Sequence, residues 1–244
     1  MSFFGPTEFL LEVAKGKVDG HRIIFMPALG DVSTTETMIW RQGGVYTFND
    51  VPATLYLSSS DNADTQDVRV VWLDANYDEQ TSLVTLQGHT LVTIGTGLRV
   101  NELYTLDTTP TAGDVYVANA NNHTNGVPNN QAEIVATFTS DAQVRQIGLY
   151  TVPNGYTAFG VGEIYFSSPK GRDNDYFWNT RNPAVPTPTL KLNVTSVYQS
   201  TVAIGLMYSP LPEKTDAFFT ANTSSGSGRA TMRGPILIVD NTKL

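Results

Sequence analysis

Asp74, Asn76 and Asp78 stand at alternate positions in "VWLDANYDEQTSLVTL" (71–86), the oxygen-ligand spacing with which a calcium loop begins. Such a loop wants glycine at its sixth position and a bidentate glutamate at its twelfth; here those positions hold Glu79 and Thr85. The flanks alternate as strands do, and Asp and Asn side chains satisfy local backbone donors in tight connections. The stretch is read as a hairpin turn, with no metal assigned. His21, His89 and His123 are scattered and form none of the spacings of a zinc site. "SSGSGRA" (224–230) contains Gly226-Ser227-Gly228 but not the strand-G-x-S-x-G-helix context of a nucleophile elbow, and it reads as a flexible glycine-serine loop. "GVGE" (160–163) lacks the third glycine of a dinucleotide fingerprint.

One arrangement has more chemistry in it. Asp173 and Asp175 in "GRDNDYFWN" adjoin Tyr176, Phe177 and Trp178, a carboxylate pair beside aromatics that a glycosidase or a sugar-binding face would use. The competing reading is a polar loop entering a strand whose aromatics fill the core, and nothing in the sequence fixes a carboxylate separation across a substrate. No catalytic residue, no cofactor-binding residue, no metal and no cofactor is assigned. The chain is expected to be no enzyme.

Composition narrows the partners. Charged residues are 16% of the 244, well under the usual quarter, while apolar residues are 41%, so Thr, Ser, Asn and Gln must make the polar faces. Surfaces of that kind suit contact with other protein. The net charge is −8 and no Lys/Arg cluster occurs, which argues against a nucleic-acid surface, since phosphate binding needs concentrated positive charge. The absence of cysteine excludes disulfides, a thiol nucleophile and a cysteine-ligated zinc. Neither a secretory signal nor a membrane span is read, because the apolar run Phe9-Leu10-Leu11 is broken by Glu12.

Period-2 alternation dominates the elements that would have to position any site. Val68, Val70 and Trp72 share one face, as do Ile134, Ala136 and Phe138, and Leu190, Leu192 and Val194. Further strands are expected at 21–27, 36–41, 53–59, 89–95, 98–106, 114–119, 144–151, 156–166, 201–208, 216–221 and 235–239. Short strands divided by Gly, Pro, Asn and Asp turns predict an all-β chain of antiparallel β-sandwich or jelly-roll modules. One helix is expected in "TEFLLEVAKG", with Thr7 as N-cap and Gly16 as stop. Residues 1–16 form an N-terminal arm or short helix, and Phe3, Phe4, Phe9 and Leu10 are its candidate partner contacts, packed either on their own domain or on a neighbouring subunit. The polar stretch "NANNHTNGVPNNQ" (119–131) is read as a linker between a β-sandwich module at 17–120 and a second, jelly-roll-like one at 131–244, the alternative being a long loop within one sandwich. "RNPAVPTPTL" (181–190) reads as an extended crossover or arm. In "YTVPNGYTAF" Gly155 supplies the positive φ of a turn between strands. "PLPEKTDAFF" places Glu213 to Asp216 at a sheet edge or subunit rim, and "GPILIVDN" is an apolar strand that must be covered on both faces.

Several of these stretches follow one another in a familiar order: "EVAKGKVDGHRII", "VVWLDANYDEQTSLVTLQG", "LRVNELYTLD", "IGLYTVPNGYTAF", "PLPEKTDAFFTA" and "GPILIVDN". The chain, from about residue 8 to residue 241, resembles a family of virion structural proteins of tailed bacteriophages. The resemblance implies a capsid decoration (cement) protein, or else a neck or tail component acting as an adaptor or host-glycan binding module. The expected partners are the major capsid protein and further copies of the chain itself, as a homotrimer, without nucleic acid or membrane. The expected location is the outer capsid surface of a virion, after synthesis in the bacterial host cytoplasm. A β-sandwich carbohydrate-active enzyme using Asp173 or Asp175 is the remote alternative.

Overall fold

The computed structural model describes residues 6–161, 163–167, 173–183, 185–196, 201–205 and 210–244. Helix α1 (Pro6–Ala14) comes first. Then follow β1 (His21–Ser33), β2 (Thr37–Met38), β3 (Ala53–Ser59), β4 (Asp67–Leu73), β5 (Glu79–Thr85), β6 (Val92–Gly97) and β7 (Arg99–Thr105). The middle of the chain supplies β8 (Val115–Ala118), β9 (His123–Thr124), β10 (Val127–Pro128), β11 (Ile134–Phe138), β12 (Leu149–Thr151), β13 (Tyr156–Gly160) and β14 (Glu163–Ser167). The last are β15 (Asn174–Asn182), β16 (Val185–Ser196), β17 (Thr201–Gly205), β18 (Pro210–Leu211), β19 (Asp216–Thr223) and β20 (Ser227–Asp240). The fold is all-β and its strand pairs are antiparallel, as the alternation predicted.

Two sandwiches form. The smaller sets the sheet β11-β8-β3-β6 against β5-β4-β7. Between them lie Leu55 and Leu57 of β3, Val68 and Val70 of β4, Val100 and Leu103 of β7, and Phe138 of β11. These are the inward positions of strands that alternate apolar and polar residues, so the pattern fixes which face is buried. The larger sandwich sets β17-β14-β20-β13-β18, with β1 on β20, against β12-β19-β15-β16, with β2 on β19. Its core joins Met26 and Ala28 of β1, Tyr176 and Trp178 of β15, Phe219 of β19, and Met232, Ile236 and Ile238 of β20.

The division of the chain differs from the expected one at 119–131. Strand β1 pairs with β20 along its whole length, from His21↔Val239 to Ser33↔Ser227, and β11 pairs with β8 across the supposed linker. The modules are therefore not 17–120 and 131–244. Residues 53–138 build the smaller sandwich, inserted into a larger one made from 21–39 and 147–240. The polar stretch is the β9–β10 hairpin, whose central residues Asn125 and Gly126 have φ of 50° and 74°, as a type I′ turn requires. A Cβ on Gly126 would stand 1.8 Å from the Ser59 carbonyl oxygen, and Ser58 Oγ donates to Gly126 O at 2.8 Å, so the hairpin is pinned to β3.

Other local expectations shift for similar reasons. The glycine-serine segment is only a short turn at Gly226 (φ 63°), and β20 already begins at Ser227. The proline-rich segment enters β16, the edge strand of its sheet, where a residue without an N–H leaves no inner ladder bond unmade. Gly155 does take a positive φ, 77°, but its turn carries the chain from β12 in one sheet to β13 in the facing one. Strand β20 is covered on both faces: Ile236 and Ile238 face the large core, and Leu237 and Val239 pack with Val13, Phe9 and Leu10 of α1.

Candidate functional site

The chemistry-bearing side chains that the fold brings together lie where the two sandwiches meet. Arg99 opens β7 of the smaller sandwich; Arg181 and Asp216 stand on neighbouring strands β15 and β19 of the larger one, in register with each other. Arg99 and Asp216 are fully buried. Their pairing is bidentate, Nε to Oδ1 at 2.9 Å and Nη2 to Oδ2 at 3.0 Å, the planar fork matching the carboxylate. Arg181 Nη1 donates to Asp216 Oδ2 at 3.1 Å and to Asp50 Oδ1 at 3.0 Å, and its Nη2 donates to Asp50 Oδ2. Arg99 Nη2 reaches Asp50 Oδ1 at 3.2 Å, while its Nη1 donates to the carbonyls of Leu98 and Asn49. Thr151 Oγ1 adds a further donor to Asp216 Oδ1 at 2.6 Å. Both guanidinium groups lie over the Phe48 ring, Arg99 at 5.2 Å and Arg181 at 4.6 Å from its centroid.

Two arginines against two aspartates make this cluster neutral. Burial works to raise the Asp50 carboxyl, but the hydrogen bonds and charge of Arg181 and Arg99 outweigh it and hold Asp50 below its ordinary value. For Arg99, burial disfavours the cation while the bond and charge of Asp216 prevail and raise it. Aromatic packing continues from the same point: Phe48 contacts Phe218 and Tyr46 edge-on, and Tyr46 contacts Trp40, at centroid separations of 5.2–5.3 Å. Burial pushes the Tyr46 phenol up to about 12 while its hydroxyl donates to Val135 O in the smaller sandwich.

Further bonds close the junction. Asn101 Nδ2 donates to Thr151 O at 2.8 Å and Asn101 Oδ1 accepts from Thr151 N at 3.0 Å, one β7 side chain imitating a strand partner. Arg145 is buried and donates to the carbonyls of Val100 and Leu149; burial, which disfavours the cation, pushes it down to about 10. Arg22 of β1 forks onto Glu79 of β5 at 2.6 and 2.5 Å. Beside these bonds an open cleft of about 300 Å³ runs between β1 and β7, with Ile24, Phe25, Leu103, Tyr104 and Val144 on its walls and Asn101 and Arg145 at its base.

The residues singled out in the sequence are dispersed around this junction. Asp74 Oδ1 accepts the N–H groups of Asn76 (2.8 Å) and Asp78 (3.1 Å), and Oδ2 accepts from Gln80, so its oxygens close a turn whose Tyr77 has φ 68°. That turn hooks onto the larger sandwich, since Asn154 N donates to Tyr77 O and Asn154 Nδ2 to Asp78 Oδ1. Tyr176 and Trp178 are buried in the large core, so they provide no platform beside Asp173 and Asp175; Asp175 lies on the other face of β15 with Phe177. His21 begins β1, His89 lies between β5 and β6, and His123 is in β9. Phe9 and Leu10 are half-buried on the chain's own sheet, whereas Phe3 and Phe4 lie outside the described residues. Asp216, expected at a rim, is instead the centre of the junction. Its partners are 35, 65 and 117 residues away in sequence, and no local spacing could have announced them.

No family model matches the chain, and no curated protein matches it. Among solved structures, one of infectious bursal disease virus, Gt strain, aligns over 90% of this chain and 72% of that one, with 11% identity and a TM-score of 0.22. A likeness at that level carries no argument.

Proposed function

We propose that this chain is a non-enzymatic structural component of a tailed-phage virion, and within that class a capsid cement protein that bridges major capsid proteins on the outside of the head as a homo-oligomer, in particular a homotrimer. The observation that carries the reading is the junction itself. Its carboxylates are bound by guanidinium and hydroxyl donors from both sandwiches, an arrangement that holds two bodies at a fixed angle. A cleft enzyme would instead leave its buried carboxylate facing a substrate, whereas each oxygen of Asp216 already accepts from two protein donors. The resemblance of the turn-and-strand stretches to virion structural proteins supports the same class. A position on the outer shell accords with a net charge of −8 and no basic cluster, because a protein inside the head would lie against packaged DNA.

Imaging of purified particles tests this. A cement protein decorates the whole head, at positions between major capsid subunits; a neck or tail adaptor forms one ring at a single vertex. Density at the unique vertex alone would replace the cement reading by the adaptor reading. Absence of the chain from washed particles would remove both.

A further inference from the structure

A row of side chains crosses the outer face of the smaller sandwich. The registers Arg69↔Leu83, Arg69↔Tyr104 and Tyr104↔Val144 place Leu83, Arg69, Tyr104 and Val144 side by side across β5, β4, β7 and the segment after β11. Phe25, on β1, continues the row at the far wall of the cleft. Leu83 is 62% exposed, Val144 43% and Phe25 69%, a contiguous apolar and aromatic strip where isolated exposed residues would be ordinary. Strand β1 offers more than side chains: it pairs with β20 on one edge, and among the described residues no strand pairs with its other edge, which borders the cleft. Aromatics and arginine about a concave centre are the composition of an interface core.

The charges on this strip say what covers it. Arg69 is exposed, and Glu102 stands two residues from Tyr104 on the same face, opposite Val71. Among the described residues neither side chain makes an ion pair or hydrogen bond; Arg69 stands out in solvent, and Glu102 is half-buried on the cleft, where it feels the charge of buried Arg145. A surface carrying one cation and one anion side by side is complementary to itself when turned over by a twofold axis, and a partner of uniform charge would satisfy only half of it.

We infer that the strip Leu83–Arg69–Tyr104–Val144–Phe25 is a self-docking surface, where two copies of this chain meet with Arg69 of each against Glu102 of the other. The inference rests on the homo-oligomeric part of the proposed function and specifies its contact. A twofold contact closes a dimer by itself; between trimers it joins one to the next, as a bridging shell requires.

Sedimentation of the isolated chain tests it without any virion. Arg69→Glu and Glu102→Arg each place like charges together and should weaken association at least about 30-fold, halving the assembled mass at a given concentration. The double variant Arg69→Glu/Glu102→Arg restores opposite charges and should recover the wild-type mass. Leu83→Asp should dissociate the assembly as the single charge changes do. All three positions are exposed or partly exposed, so the thermal midpoint of the subunit should stay close to wild type, which separates dissociation from misfolding. A wild-type chain that sediments as a monomer throughout, single variants with wild-type mass, or a double variant as dissociated as the singles would each overturn the assignment. Location of the chain on particles is a separate measurement and does not decide this one.

Discussion

Removing the charge of Asp216 should be among the most damaging conservative changes the chain can suffer. Asp216→Asn keeps the shape but leaves Arg99, fully buried, without its bidentate carboxylate. Asp50 is the remaining carboxylate within reach, at 3.2 Å from Arg99 Nη2, and its side chain is 44% exposed and already shared with Arg181. Breaking a buried pair from one side costs about 3–5 kcal/mol, because an uncompensated charge stays behind. For a chain of this size about 2–4 °C is lost per kcal/mol, so the midpoint should fall by roughly 6–20 °C in a calorimetric or circular-dichroism melt. The double variant Arg99→Met/Asp216→Asn removes both charges and leaves Arg181 paired with Asp50, so it should melt above the single variant. A single variant within about 2 °C of wild type, or a double variant no better than the single, would show that packing and not charge compensation holds the junction.

Asp50 is held below its ordinary value in the folded chain, so its stabilising contribution is present above the unfolded value, about 3.9, and is lost as pH falls through the folded one. The gap in melting temperature between wild type and Asp50→Asn should therefore be steady from neutral pH down to that range and close below it; a gap that widens in acid refutes the pairing. Chelator should leave the melt of the wild-type chain unchanged, while Asp74→Ala, which removes acceptors from the Asn76 and Asp78 N–H groups, should cost about 1–3 kcal/mol by chemical denaturation. Gly30→Ala should cost about 1–3 kcal/mol or more, because the added Cβ would stand 2.0 Å from the Trp40 carbonyl oxygen, and a melt equal to wild type would mean that β1 and Trp40 can part freely.

The strands were legible where a local pattern decides them. Strand β3 spans Ala53–Ser59, the bounds the sequence suggested, and the Asp74 turn lies between two strands paired from Leu73↔Glu79 onward. What the sequence misplaced were relations over long separations. "NANNHTNGVPNNQ" reads as a linker because polar composition is shared by linkers and hairpins; only the pairing of β11 with β8 tells them apart. Asp216 reads as a rim residue because a lone aspartate before an apolar run carries no sign of the arginines that will bury it. The length of β20 was concealed in the same way, since its first half, Ser227 to Gly234, is glycine-rich and polar and becomes a strand by pairing with β1.

The use of charge inside the molecule follows from that topology. Among the described residues the buried charged side chains are Asp64, Arg99, Arg145, Arg181 and Asp216, and all but Asp64 stand where the sandwiches meet. Apolar contact at the junction, through Trp40, Tyr46, Tyr116, Ile134, Leu149 and Phe218, favours any arrangement that covers the same area, because such contact is not directional. The bidentate Arg99–Asp216 pair and the reciprocal Asn101–Thr151 bonds tolerate little rotation. The smaller sandwich is also tied by both of its chain connections, and each carries a junction residue: Phe48 and Asp50 on the way in, Arg145 on the way out. Turning one sandwich against the other must break directional bonds on both connections at once, and the angle between the two bodies is thereby fixed by polar geometry over an apolar contact that supplies the area.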